Sequence, residues 1–216
     1  MTTTPATTRP PTTRMIKGGA FLIEPCPPDE VFTPEDLTDQ HQLIAQTARE
    51  FMSKEVIPRI SDLEDPAKKH TLSRELLGKA AELGLTAAQI PETYGGLGLD
   101  KMSSLVIAEE MAAQGSFSST FGTQVGIGSL PIVFFGTEEQ KTKYLPRLAA
   151  AEMVGAYCLS EATSASDAMN ARTKATLSPD GGHYLLNGTK MWITNGGFAD
   201  LFTVFAKIDG EKFTAF

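Results

Sequence analysis

Two short stretches hold side chains suited to chemistry, "AYCLSEATSASDA" at 156–168 and "NGTKMWITNGG" at 187–197. In the first, an apolar run ends in small and hydroxylated residues. Thr163, Ser164 and Ser166, with their backbone N–H groups, could face an anion there. In the second, Trp192, the only tryptophan, stands two positions before Thr194. Asn187-Gly188 is a strong hairpin signal, and on a strand residues i and i+2 share a face. A broad ring beside a hydroxyl suits a flat heteroaromatic ligand with an acceptor nitrogen at its edge. Taken singly, each stretch also has a plainer reading, as an ordinary Ser/Thr loop and as a core tryptophan.

Other chemistries find little support. His41, His70 and His183 are isolated from one another; His41 falls within a helix and His70 in a loop, and all read as solvated or capping residues. Cys26 and Cys158 are the only cysteines, without metal-ligand neighbours at zinc spacing, and Cys158 reads as a small buried hydrophobe. There is no G-x-G-x-x-G after a strand, no Walker loop and no G-x-S-x-G elbow. These absences argue against phosphoryl transfer, Rossmann-type nicotinamide chemistry and serine hydrolysis. A net charge of -7 offers no basic face to nucleic acid or an anionic membrane. No apolar run approaches the ~20 residues of a transmembrane segment.

Most of the chain preceding these stretches is helical in pattern. In "TDQHQLIAQTAREFMSKEVIP", Leu43, Ile44, Thr47, Ala48, Phe51 and Met52 make one stripe, which Pro58 ends or kinks. "SRELLGKAAELGL" follows, with Gly84 just past its end. "SSLVIAEEMAAQG" is a third helix and "GSFSSTFGTQVGIGSLPIVFFG" a fourth. Thr137 and Gln140 form a capping box that opens "TEEQKTKYLPRLA". Beyond Met153 the pattern is that of short strands: "VGAYCLSE", "NARTKATLS", "HYLLNGTKMWIT" as two strands joined at Asn187-Gly188, "LFTVFAKI" and "KFTAF", with turns at "PDGG" and Asp209-Gly210.

The fold class is therefore α+β, an all-α helical bundle followed by an antiparallel β-meander. Residues 1–15 read as a disordered Thr/Pro-rich tail, 16–152 as the helical domain and 153–216 as an incomplete β domain. The sequence reaches Phe216 inside a strand-like run, which predicts a chain that continues further. The tail lacks the apolar run of a secretion signal, and its prolines oppose a transit-peptide helix, so a cytoplasmic location is expected.

Together the two stretches resemble the acyl-CoA dehydrogenase family of flavoenzymes. The family pattern Y-C-L-T-E-P-G-S-G-S-D-A is matched by Tyr157-Cys158-Leu159-Ser160-Glu161 and Ser166-Asp167-Ala168. L-N-G-x-K-x-W-I-T-N is matched by Leu186-Asn187-Gly188 and Lys190-Met191-Trp192-Ile193-Thr194-Asn195. "IPETYGGLGLD" and "GSLPIVFFGTEEQKTKYLPRLAAAE" support the match, and "KGGAFLIE" is similar to the bacterial long-chain branch. The resemblance covers residues 15 to 216. It implies FAD-dependent α,β-dehydrogenation of a fatty acyl-CoA, the first step of β-oxidation. It further implies electron delivery to an electron-transferring flavoprotein, and a homo-oligomer, dimer or tetramer.

By this resemblance Tyr157, Leu159 and Ser160 contact the pyrimidine side of the flavin, and Ser166 meets FAD phosphate and lies near substrate. Trp192 and Ile193 line the isoalloxazine, and Thr194 hydrogen-bonds N5. The stretch 117–131, with Gly122, Gly126 and Gly128, lines an acyl tunnel. The catalytic carboxylate belongs to a C-terminal helical domain that these residues do not contain, and Glu161 is expected to be structural. Where the family has Pro-Gly-Ser-Gly-Ser, this chain has Ala162-Thr163-Ser164-Ala165-Ser166. If the family's glycines take positive φ or allow close approach of a phosphate, Thr163 and Ala165 are strained by roughly 1 kcal/mol each or push the pyrophosphate outward, which predicts weaker FAD binding or a rearranged loop. Two other readings keep the fold: a non-catalytic interaction module, and an O₂-using acyl-CoA oxidase or flavin monooxygenase.

Overall fold

Much of the stripe on "TDQHQLIAQTAREFMSKEVIP" falls on helix α1 (Asp39–Phe51), where Ala48 and Phe51 are buried and Ile44 half-buried while Leu43 stays 64% exposed, in a computed structural model that describes residues 19–27 and 30–216. The expected N-terminal tail lies outside the described residues. The chain divides into a unit ending at Gln42 and a unit of residues 43–216. In the first, Thr38 and His41 cap the start of α1: the Thr38 N–H donates to His41 Nδ1 and the His41 N–H to Thr38 Oγ1, each at 3.2 Å. His41 is thus a capping residue, as its position suggested.

In the second unit, Pro58 cannot donate to the carbonyl four residues back, and the helix slips register around it. A π turn, Met52–Val56, passes into a 3₁₀ turn, Ile57–Arg59, and then α2 (Ile60–Glu64). Helix α3 (Lys69–Glu82) ends as expected: Gly84 sits at φ +75°, with its own N–H on Ala81 O and the Leu85 N–H on Ala80 O. Helices α4 (Lys101–Met111), α5 (Gly115–Val125), α6 (Leu130–Phe135) and α7 (Glu138–Ala149) complete the helical part. The capping box on α7 forms between Thr137 and Gln140. The main core cluster holds Phe51, Met52, Leu76, Leu77, Met111 and Phe117, nearly or fully buried, and a second gathers Ile90, Leu145 and Leu148.

Two expectations about helices change. The stretch 115–136 is two helices, because the backbone turns at Gly126–Ser129, where the Gly128 N–H bonds Thr123 O. His70 lies on α3, its ring 5.2 Å from that of Phe198.

The strands are β1 (Gly155–Cys158), β2 (Lys174–Leu177), β3 (Tyr184–Asn187), β4 (Leu201–Ile208) and β5 (Lys212–Ala215). They form one sheet of order β1-β4-β2-β3, with β5 also on β4. The sheet is mixed, not an antiparallel meander. Strand β4 runs parallel to both β1 and β2; only β2/β3 and β4/β5 are antiparallel. Alternation in sequence reveals strands but not partners. The long excursion between Cys158 and Leu201 brings β4 back in the direction of β1. The Asp209-Gly210 turn joins β4 and β5 with both residues at positive φ, as a tight primed turn requires.

The second hairpin lies elsewhere than Asn187-Gly188. It joins β2 to β3 through Ser178–His183, the "PDGG" segment. After Asn187 the chain leaves the sheet, and residues 188–200 are irregular. A Cβ on Gly188 would run into the side chain and backbone of Thr173, so that glycine serves close approach. No helix among the described residues is long and apolar enough to cross a membrane.

Candidate functional site

The sheet delivers the first part of the site through β1. Ala156 and Cys158 are buried, and Tyr157 packs its ring 4.9 Å from Phe205 on the opposite face. Burial pushes the Cys158 thiol pKa up, with the Lys190 charge pulling partly against it. Cys158 is the small buried hydrophobe its sequence context suggested.

Past Leu159 the chain leaves the sheet, and Glu161 turns inward. Only 5% exposed, its carboxylate accepts from the Arg172 N–H (2.6 Å), the Thr173 N–H (3.0 Å), the Thr173 hydroxyl (2.5 Å) and Lys190 Nζ (2.8 Å). Burial alone would raise this pKa. The bonds from Lys190, Thr173 and the Arg172 N–H outweigh it and hold the group down at about 2. Such a carboxylate is a structural anion and has no capacity to abstract a proton near neutrality.

Lys190 ties the second stretch to the first. Its ammonium also donates to Leu159 O at 2.9 Å, and the next N–H, of Met191, donates to Ser160 O at 3.0 Å. Further on, Asn195 is buried, and its Nδ2 donates to Thr120 O on α5 and Gly155 O on β1. The segment reaches β4 through Asp200, whose carboxylate accepts the Val154 N–H and pairs with Arg74 at 2.9 Å. Arg74 also donates to Phe198 O. Residues 188–200 are thus irregular yet anchored on α3, α5 and β1.

Between these anchors Trp192 projects. It lies off any strand, at φ +57° and 78% exposed, so neither the shared strand face with Thr194 nor a core placement holds. A bulky side chain at positive φ is costly by ~1–2 kcal/mol, and such strain gathers at functional sites. Thr194 is exposed as well. Among the described residues, no acceptor meets the N–H groups of Ser160, Trp192, Ile193 or Thr194. A wide ring, a hydroxyl and four free donors therefore stand together around the junction of the two stretches. That set fits a planar ligand with acceptor atoms along one edge.

The loop 162–170 is held differently. Ser164 is buried, its hydroxyl donating to Asp167 O and its N–H to Glu161 O, so it has nothing left for an anion. Thr163 and Ser166 remain exposed. Among the described residues, the non-glycine residues at positive φ are Ala151, Trp192, Asn195 and Asp209. Thr163 and Ala165 are not among them, and the expected strain is absent.

Two cavities lie in the second unit. One of about 70 Å³ lies among Leu85, Ile107, Met111, Ser118, Phe121 and Gly122, so α5 does face a hollow, with room for about two water-sized groups. A larger apolar groove of about 700 Å³ runs between α6, α7 and β4, with Tyr157 on its wall; Ser160, Ser166, Trp192 and Thr194 do not line it. Reasoning from sequence assigned no role to Lys190, Asn195, Arg172 or Thr173. Their partners lie 11 to 75 positions away, and no local pattern announces those contacts.

The model of the acyl-CoA dehydrogenase N-terminal domain matches residues 38–152, and that of the middle domain residues 156–216. A probable acyl-CoA dehydrogenase of Bacillus subtilis strain 168 is 55% identical over 200 residues, 93% of this chain and 33% of that protein. The very long-chain specific mitochondrial acyl-CoA dehydrogenase of Macaca fascicularis is 40% identical over 205 residues, 87% of this chain and 30% of that protein. Among solved structures, an acyl-CoA dehydrogenase complexed with FAD from Bacillus anthracis matches with a TM-score of 0.89 at 54% identity, over 93% of this chain and 34% of its own. The chain spans about a third of the length of these relatives.

Proposed function

The chain belongs to the acyl-CoA dehydrogenase family, and on that premise we propose that the protein carries out FAD-dependent α,β-dehydrogenation of fatty acyl-CoA thioesters. The observation that carries this reading is the junction of Leu159-Ser160 with Lys190-Met191, which sets a strained, exposed Trp192 and free N–H groups beside one another. These residues fit a flavin. Ser160 and its neighbours Tyr157 and Leu159 would hold the pyrimidine side, Trp192 and Ile193 would wall the ring system, and the Thr194 hydroxyl would donate to N5. The exposed hydroxyls of Thr163 and Ser166 would remain for phosphate, with Ser166 also near substrate.

FAD, when bound, supplies the acceptor for the hydride that leaves the substrate's β carbon. The residues of this chain orient the ring and exclude water from one of its faces. None of them is assigned as the base that removes the α proton, and Glu161 is unsuited to it. The face of α5 around Phe121 and Gly122 is proposed as part of the acyl wall. We further assign electron transfer to an electron-transferring flavoprotein, a place in β-oxidation and homo-oligomerisation, as the family resemblance implies, and a cytoplasmic location, from the composition of residues 1–15.

Purification of the full-length protein tests the reading. A yellow protein bleached anaerobically by a long-chain acyl-CoA is the expected result. A colourless protein that takes up no added FAD would replace it with a non-catalytic module. Rapid re-oxidation by air would point to an oxidase.

A further inference from the structure

We infer that Lys190 is a positioning residue for the flavin, acting through the Leu159–Ser160 peptide. This rests on the FAD reading above. The ammonium donates to Leu159 O at 2.9 Å and to Glu161 Oε1 at 2.8 Å, with the side chain only 10% exposed. The peptide it touches is trans, so the Ser160 N–H points away from Leu159 O on the far side of the same unit. That N–H has no acceptor among the described residues. A cation on the carbonyl polarises the peptide and makes the opposite N–H a stronger donor.

Reduction places more negative charge on the pyrimidine side of a flavin, where charge and hydrogen bonds tune the ring. A strengthened donor there therefore favours the reduced form over the oxidised one. Glu161 keeps the lysine in place. Its own carboxylate is fixed by Thr173 and the Arg172 N–H, so the ammonium cannot swing to solvent without leaving a buried anion. The Met191 N–H on Ser160 O adds a second tie across the same gap. The pair thus fixes both the spacing of the two stretches and the polarity of the contact.

The test uses the full-length protein in three forms: unsubstituted, Lys190→Met, and the double variant Lys190→Met/Glu161→Gln. The double variant leaves no unpaired buried charge, and circular dichroism and melting report whether it folds. FAD affinity is read by quenching of flavin fluorescence, and the flavin potential by dye-linked equilibration. The inference expects the folded double variant to bind FAD about tenfold more weakly. Its potential is expected to fall by about 30 mV, the two-electron equivalent of a tenfold preference. Lys190→Arg should restore part of both, since it keeps a cation and a donor. A folded double variant with unchanged affinity and potential would overturn it and leave the pair a stability element alone. Failure of the unsubstituted protein to bind FAD would instead overturn the functional reading beneath it.

Discussion

The segment 188–200 and the loop 162–170 are both irregular, both border the proposed flavin site, and are held in opposite ways. The first is pinned from outside: Lys190 on Leu159 and Glu161, Asn195 on α5 and β1, Asp200 on Val154 and Arg74. The second is tied mostly to itself, by short-range bonds among Glu161, Ser164, Asp167, Ala168 and Asn170. The anchored segment stores strain at Trp192 and Asn195, because its surroundings over-determine it. The self-tied loop stores none at positive φ. Strain in this molecule follows anchoring, and substitutions in the two regions should differ accordingly.

The sharpest break is Glu161→Ala. It leaves the Lys190 ammonium without its anion and removes the acceptor for the buried Thr173 N–H and the part-buried Arg172 N–H. Loss of one partner of a buried pair costs about 3–5 kcal/mol, to be read as a shift in the urea midpoint. A cost below 1 kcal/mol would mean that solvent screens the site far better than its burial suggests.

Acid should act on the same group. The Glu161 pKa falls on folding from the ordinary 4.5 to about 2, so the unfolded chain takes up this proton first. Its stabilisation is complete above about pH 4.5 and fades as pH falls toward 2, amounting to about 3 kcal/mol in all. Comparing urea midpoints of the unsubstituted protein and Glu161→Gln between pH 7 and pH 3 checks this. The gap between them should narrow as the pH drops.

Asn195→Ala comes next, at about 2 kcal/mol, because it loses two hydrogen bonds and replaces a residue that tolerates the left-handed region at φ +65° with one that does so less readily. Asn195→Gly should recover about 1 kcal/mol of that by relieving the backbone alone. Trp192→Gly should act with opposite signs on two measurements. Thermal unfolding should show a gain of about 1 kcal/mol from relief at φ +57°, while FAD binding loses about 1 kcal/mol of aromatic contact. Losses in both would place the tryptophan among the structural residues.

The difference between the regions also explains what the sequence disclosed. Helix signals rest on neighbours: the periodicity behind α1, the Thr137–Gln140 box and the Gly84 cap each lie within a few positions, and the helix, the box and the cap all form, though Leu43 of the stripe faces outward. The Asn187-Gly188 signal is equally local but was overruled by a distant contact. Thr173 lies against Gly188, fifteen positions on, and Lys190 reaches back to Leu159 and Glu161, 31 and 29 positions before it, so the segment peels off the sheet. The parallel pairing of β4 with β1 and β2 was hidden for the same reason, since alternation carries no record of partners. For the site, Trp192 and Thr194 could be picked out by type and motif, whereas their geometry was set by residues on α5 and β1.

The smallest effect is the most discriminating. Thr163→Gly/Ala165→Gly restores the glycines of the family pattern in a loop where neither residue sits at positive φ. Removing their side chains therefore relieves no strain, and the added backbone freedom should cost about 0.5–1 kcal/mol per glycine at most. FAD affinity should stay within about twofold of the unsubstituted protein, a change of about 0.4 kcal/mol. If affinity instead rose tenfold, the Cβ atoms at 163 and 165 would be obstructing the phosphates directly. Close approach to the ligand, and not backbone strain, would then be the reason for glycine there. In that case the self-tied loop would be the region tuned to the cofactor, and the anchored wall around Trp192 only its frame.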